Sequence, residues 1–370
     1  MRNPRRLLAA LAGVALSVTS LPLGAQWAVQ PSGSTASLRG ISAPSDRVAW
    51  ASGSRGTVLR TTDGGATWVP RPVPGADSLD FRDVEAIDAQ RAWVLSIGNG
   101  DASRIYATTD GGATWTLQFR NTDTTAFYDC ITFWNPRHGI AMSDPGNGRF
   151  RLVETRDGSR WTPVPEAHAP VAEAGEGGFA ASGTCLVARP DGDAADAEAK
   201  LLWLATGGGA RARVLRSRDG GHSWAASVTP LPAGASPKGV FGLAMRDRTV
   251  GVAVGGNYEA PTDSTSVVAL TGDGGATWVA PRGRQPGGYR SGVAYVPGSG
   301  GRMLVAVGTS GSDVSRDGGE SWSAGDALSL NAVAFAPEHA GAAGAPAGWA
   351  VGPRGTIAKW VGPIARRGKD

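Results

Sequence analysis

The sequence predicts an all-β fold: a seven-bladed β-propeller of four-stranded antiparallel blades, closed by pairing of its N- and C-terminal strands. Three observations predict it. A short glycine-rich, acidic, tryptophan-ended motif recurs six times. Each copy follows a strand–turn–strand run such as "RVAWASGSRGTVLR". A seventh run, Gly348 to Trp360, matches the first almost position for position but lacks the motif.

The motif copies carry Asp63 and Trp68, Asp110 and Trp115, Asp157 and Trp161, Asp219 and Trp224, Asp273 and Trp278, and Asp317 and Trp322. Five read Ser/Thr-x-Asp-Gly-Gly-x-Ser/Thr-Trp, and the third is one residue short. The tryptophans step by 47, 46, 63, 54 and 44 residues, the spacing of propeller blades with a central insertion. Glycine allows turn conformations closed to other residues. The Asp carboxylate and the Ser/Thr hydroxyl can accept the turn's own N–H groups. The tryptophan is expected between sheets, so the motif is read as structural. One carboxylate per copy is too few for a calcium cage.

The missing strand of the seventh unit is sought at the other end. "WAVQ", Trp27 to Gln30, resembles "WTLQ", Trp115 to Gln118. Pairing it with the last strand closes the ring without a free sheet edge.

Composition agrees with a turn-rich β protein. Glycine supplies 55 of 370 residues, 41% of residues are hydrophobic and only 18% are charged. Residues 1–25 read as a signal peptide: Arg2, Arg5 and Arg6, an apolar run from Leu7 to Val18, then small residues up to Ala25. The propeller is assigned to 26–362 and a basic tail to 363–370. Removing the leader leaves 33 basic against 32 acidic residues, so net charge gives no argument for nucleic acid. The mature chain is expected in the periplasm or outside the cell, as a monomer and not an integral membrane protein.

Asp-box, or BNR, repeats are the motifs these residues resemble. Such repeats occur in sialidases, other glycosidases, sortilin-type receptors and photosystem II assembly factors. The dense Asp-Gly-Gly-x-Ser/Thr-Trp series, the short blades and the leader are most similar to the photosystem II assembly/stability factor-like proteins of bacteria. That resemblance implies a binding or assembly scaffold with a basic patch on one face and a protein partner; a glycan is the other candidate ligand. The alternative is a glycoside hydrolase. Against a sialidase, the early arginine motif is missing, tyrosines are few, and Tyr258–Glu259 is the one adjacent Tyr–Glu pair. No dinucleotide loop follows a strand and no zinc motif is present, so no cofactor, metal or catalytic residue is expected.

Binding residues are sought where inner strands begin, at one mouth of the axial channel. Aligning seven such starts puts Arg39, Arg82, Lys238 and Arg290 in one ring, with Asp129 beside Tyr128. Clustered cations there would focus a positive field and could grip a carboxylate. The opposing expectation is that each Arg meets an acid of its own blade, for instance Arg82 with Asp83. A second cluster is expected in the long third and fourth blades, with Asp144 and Arg149 from "MSDPGNGRF" and Glu173, Glu176, Ser182 and Thr184 from the insertion, which is placed over one face. Cys130 and Cys185 fall on neighbouring inner strands and are a candidate disulfide in an oxidising compartment; two buried thiols are the alternative.

Overall fold

Every copy of the acidic turn motif hydrogen-bonds to itself. Thr61 Oγ1 donates to Asp63 Oδ1 (2.8 Å) and accepts from the Gly65 N–H (2.9 Å). Asp63 in turn accepts from the N–H and the hydroxyl of Thr67. Gly64 and Gly65 sit at φ of 74° and 86°, a region costly for any residue with a Cβ. The same bonds recur at Asp110, Asp219, Asp273 and Asp317. In the shortened third copy, Asp157 instead accepts from the N–H groups of Ser159 and Arg160, both at 2.8 Å.

The computed structural model describes residues 26–190, 200–337 and 345–362. The leader at 1–25, the tail at 363–370 and nearly all of the polar stretch 190–200 lie outside the described residues. From axis to rim, blade one comprises Leu38–Ser42, Ala49–Gly53, Thr57–Thr61 and Val69–Pro70. Blade two is Asp80–Ala86, Ala92–Ile97, Arg104–Thr108 and Thr116–Arg120. Blade three is Tyr128–Asn135, His138–Gly146, Arg149–Thr155 and Trp161–Pro163, and blade four Leu186–Pro190, Lys200–Ala205, Arg213–Ser217 and Ala225–Val228. Blade five keeps Lys238–Met245, Gly251–Asn257 and Val268–Thr271; its rim strand shrinks to a bridge between Leu270 and Val279. Pro281 follows two residues later and has no N–H to extend the ladder. Blade six is Gly292–Tyr295, Leu304–Gly308, Gly311–Ser315 and Trp322–Ala324.

Blade seven takes Ala332–Phe335, Gly348–Val351 and Ile357–Trp360 from the end of the described chain and Trp27–Gln30 from its beginning. The two segments pair antiparallel, Trp27 opposite Trp360 and Gln30 opposite Ile357. The paired indoles meet edge to face at 5.1 Å, and Asp326 Oδ2 accepts the N–H groups of Gln26 and Trp27 at 2.9 Å. The ring therefore closes as the "WAVQ" match predicts.

The core lies between adjacent sheets, and the box tryptophans fill it. Trp68, Trp161, Trp278 and Trp322 are buried there with Val, Leu and Ile side chains of neighbouring blades. Gln30 Oε1 accepts from Trp68 Nε1, and Gln118 Oε1 accepts from Trp161 Nε1, each at 3.1 Å. The two similar rim strands thus do the same work in different blades.

The central insertion departs from expectation. The sequence alignment starts blade four's inner strand at Ala181 and lays the insertion over one face. The strand instead begins at Leu186, and residues 178–185 cross the propeller axis. Ala180 O accepts from Arg82 Nη1 of blade two (3.2 Å), and Ser182 Oγ donates to Ser291 O beside blade six (2.7 Å). Thr184 O accepts from the Leu243 N–H of blade five (3.0 Å). Gly183, at φ 77°, packs so closely on the Asp83 carboxylate that a Cβ would collide with it. The run Ala-Ala-Ser-Gly-Thr-Cys is small enough for the narrow axis. The sulfurs of Cys130 and Cys185 are bonded, with Cα atoms 6.2 Å apart, which fastens the crossing segment to blade three.

Candidate functional site

Inner strands begin on one face, and the acidic turn motifs, which follow the third strands, lie on the other. On the inner-strand face the axial segment turns the channel mouth into a basin. Arg39 and Arg82 stand next to each other there, together with Asp80 and Tyr289. Arg82 Nε donates to Asp80 Oδ2 at 2.9 Å. Its partner is Asp80 because alternate strand residues share a face. Asp83, the partner expected from sequence, points the other way and accepts the Ile131 N–H at 2.8 Å.

Arg39 has no hydrogen bond or ion pair among the described residues. Burial lowers its pKa first, and the neighbouring Arg82 charge lowers it further. A half-buried guanidinium with unspent donors beside a second cation is a receptor for an oxyanion.

The other ring members differ. Arg290 is 2% exposed and donates from Nε to Asp313 Oδ2 at 2.8 Å, with further bonds to Tyr289 O and Ser310 Oγ. Its charge is spent inside blade six. Lys238 is half-buried at the start of blade five and acts electrostatically on the exposed Asp263. The ring of four read from the alignment is therefore a pair, Arg39 and Arg82, with Lys238 further round.

Asp129 is buried near Arg82, and its Oδ2 has no hydrogen-bond partner among the described residues. Burial, and then the Asp144 charge, push its pKa well above the usual carboxylate range. Asp144 Oδ1 accepts the Gly178 N–H at 2.8 Å, and burial raises its pKa as well. Of the expected second cluster, Asp144, Glu173 and Glu176 line one cavity, and Arg149, Ser182 and Thr184 do not join them. Glu176 is buried against Arg213, whose Nε donates to Glu176 Oε1 at 2.8 Å. Arg149 donates to Ala169 O at 2.6 Å, at the rim of blade three.

Sequence reasoning missed the aromatic wall of the basin. Phe179 stacks on Phe241 at 3.8 Å, and Tyr258 and Tyr289 meet Phe241 edge-on. Phe179 comes from the insertion, Phe241 and Tyr258 from blade five, and Tyr289 from the approach to blade six. No sequence period links them. Tyr258 remains 44% exposed, so the wall reaches solvent. Among the described residues no group of three or more His, Cys, Asp or Glu could hold a metal ion, and no helix is long and apolar enough to cross a membrane.

Fold and site together define a seven-bladed β-propeller with a stopped axis and a basic, aromatic-walled basin. No family model and no curated protein matches the sequence. Among solved structures the chain is similar to YCF48 from Cyanidioschyzon merolae, with a TM-score of 0.61 and 18% identity over 91% of this chain and 99% of that one. It is also similar to YCF48 bound to D1 peptide, at 0.63 and 17% over 95% and 100%. An ancestral GH74 enzyme is similar at 0.59 and 16%, over 88% of this chain and 45% of that one. At these identities the likeness establishes the propeller fold.

Proposed function

We propose that this protein is a non-enzymatic binding or assembly scaffold of the photosystem II assembly factor-like kind, acting in the periplasm or outside the cell. Its basin holds a carboxylate-bearing segment of a protein partner. The observation that carries this reading is Arg39: a guanidinium without an acceptor, next to Arg82 and below an aromatic wall. A carboxylate would complete both arginines, and flanking apolar side chains would pack on Phe179 and Tyr258. The similarity to a YCF48 structure described as bound to a D1 peptide supports a peptide ligand. Affinity capture from the native envelope tests it. The double change Arg39→Ala and Arg82→Ala should abolish capture and leave the fold intact; capture that persists at low and high salt would sink the reading.

A second reading is a glycoside hydrolase. Two observations favour it: the adjacent carboxyls of Asp129 and Asp144, both shifted upward on the basin face, and the GH74 neighbour. Turnover of fluorogenic glycosides that Asp129→Asn removes would establish it.

A further inference from the structure

Between the rims of blades two and three, on the basin face, a separate cavity of about 270 Å³ opens beside Arg149. We propose that it binds a small organic carboxylate, with the charged end on Arg149, Arg151 and the Tyr128 hydroxyl and the apolar end on Phe119, Pro163 and Val164.

The charges favour an anion. Three arginines reach this cavity. Arg120 is paired with Asp101 (2.5 Å), and Arg151 with Asp123 (3.2 Å). Arg149 has no ion pair among the described residues; the one hydrogen bond of its side chain, to Ala169 O, holds Nη1 in place. Glu166 also lines the cavity but is exposed, so the anion site rests on the unpaired Arg149 guanidinium beside Arg151 rather than on a net positive charge.

The donors are fixed in advance. Arg151 Nη2 donates to Thr125 Oγ1 at 2.8 Å, and its guanidinium lies flat on Gly146, where any Cβ would strike it. Nη1 of Arg151 is buried and has no hydrogen-bond partner among the described residues, a cost that an acceptor would remove. The Tyr128 ring is held edge-on to Phe119 at 5.1 Å. Burial raises the Tyr128 pKa, so its hydroxyl stays a donor. Asp123 Oδ1 already accepts from the N–H and the hydroxyl of Thr125, and its Oδ2 is paired with Arg151.

Shape sets the rest of the ligand. The recess is small by the standard of ligand pockets, which excludes a sugar chain or a folded peptide. Its apolar wall favours an aryl or alkyl body over an inorganic ion. None of its residues belongs to the basin, so this inference does not rest on the scaffold reading.

Phenylacetate is a suitable probe and 2-phenylacetamide its uncharged control, each titrated into the intact protein by calorimetry or ligand-observed NMR. Saturable phenylacetate binding is expected, about tenfold or more tighter than phenylacetamide. Arg149→Gln should weaken phenylacetate about tenfold, Tyr128→Phe by a smaller factor, and Arg39→Ala not at all. If Arg149→Gln fails to fold, Arg149→Lys serves the same comparison, because it loses the planar fork. Equal affinity for both probes, unchanged affinity in the Arg149 variant, or no saturable binding would overturn the proposal. Equal binding of inorganic phosphate in the same recess would overturn it too.

Discussion

The two faces of the propeller use the same residue in opposite ways. On the face of the acidic turns, Asp63, Asp110 and Asp273 are exposed, and their carboxyls are held down at about 2, chiefly by the hydroxyls of Thr67, Thr114 and Thr277. On the basin face, Asp129 and Asp144 are buried or nearly so, and burial drives them upward. A carboxylate surrounded by its own turn's donors is finished chemistry, and it recurs because the blade recurs. A buried carboxyl with an open lone pair, or an arginine with no acceptor, is unfinished. The contrast separates frame from site without any appeal to the ligand.

The largest expected effect tests the frame. Deleting residues 26–31 removes the rim strand of blade seven, the buried Trp27 and the two bonds to Asp326. Loss of a buried Trp side chain alone costs about 3–5 kcal/mol, so the truncation should lower the urea midpoint more than any single substitution. An unchanged melting temperature would break the claim that closure holds the ring.

Next come two arginines from one alignment column. Arg290→Ala leaves Asp313 buried without its partner, which costs roughly 3–5 kcal/mol. Arg39→Ala removes a desolvated cation beside another cation, so stability should stay level or rise while partner capture falls. Equal destabilisation in both variants would erase the distinction between spent and unspent charge.

Changing both Cys130 and Cys185 to Ser is expected to cost about 4 kcal/mol, from the chain entropy of a loop whose ends lie 55 positions apart. The axial segment should also loosen, so capture by the basin should weaken because Arg82 leans on Ala180. Alkylation of the denatured native protein without reductant should label neither thiol, and both after reduction. Two labelled thiols before reduction would remove the bridge.

The smallest effects lie in the pH profile, and they have opposite signs for a carboxyl buried near the axis and for those of the exposed turns. Burial pushes Glu85, which lines a cavity near the axis, up to about 7, whereas an unfolded glutamate titrates near about 4.3. Between those values the unfolded chain binds fewer protons, so stability falls as pH rises. Glu85→Gln should flatten that fall. The box carboxylates contribute stability above about pH 4 that is lost toward pH 2. Asp63→Asn should therefore cost stability at neutral pH and converge with the parent as pH drops; a constant difference down to that pH would contradict the depressed pKa.

What could be read in the sequence follows the range of the interactions. A box is complete within seven or eight residues, so its hydrogen bonds are written in a short motif. Closure joins distant residues, yet it was legible because Trp27–Gln30 repeats the pattern of Trp115–Gln118. The axial segment left no such trace. Its residues are small and aperiodic, and Ser182 meets Ser291, 109 positions away. Strand alternation could have paired Arg82 with Asp80. An Asp facing inward at position 313 was the available warning that Arg290 was taken. For Arg39 the decisive fact is a missing partner, and absence of a neighbour has no sequence signature.

The closing strand also orders the folding of the molecule in time. Trp27 leaves the ribosome hundreds of residues before Trp360, the indole it must meet. Contacts so far apart in sequence form slowly, because a long loop must close before they return any energy. Six blades can assemble in turn once the chain is free to fold, each from its own hairpins. Blade seven cannot, so until the last strand arrives the nascent propeller is an open arc with two exposed edges. That interval, rather than the finished ring, is when the chain is most exposed to mispairing with a copy of itself.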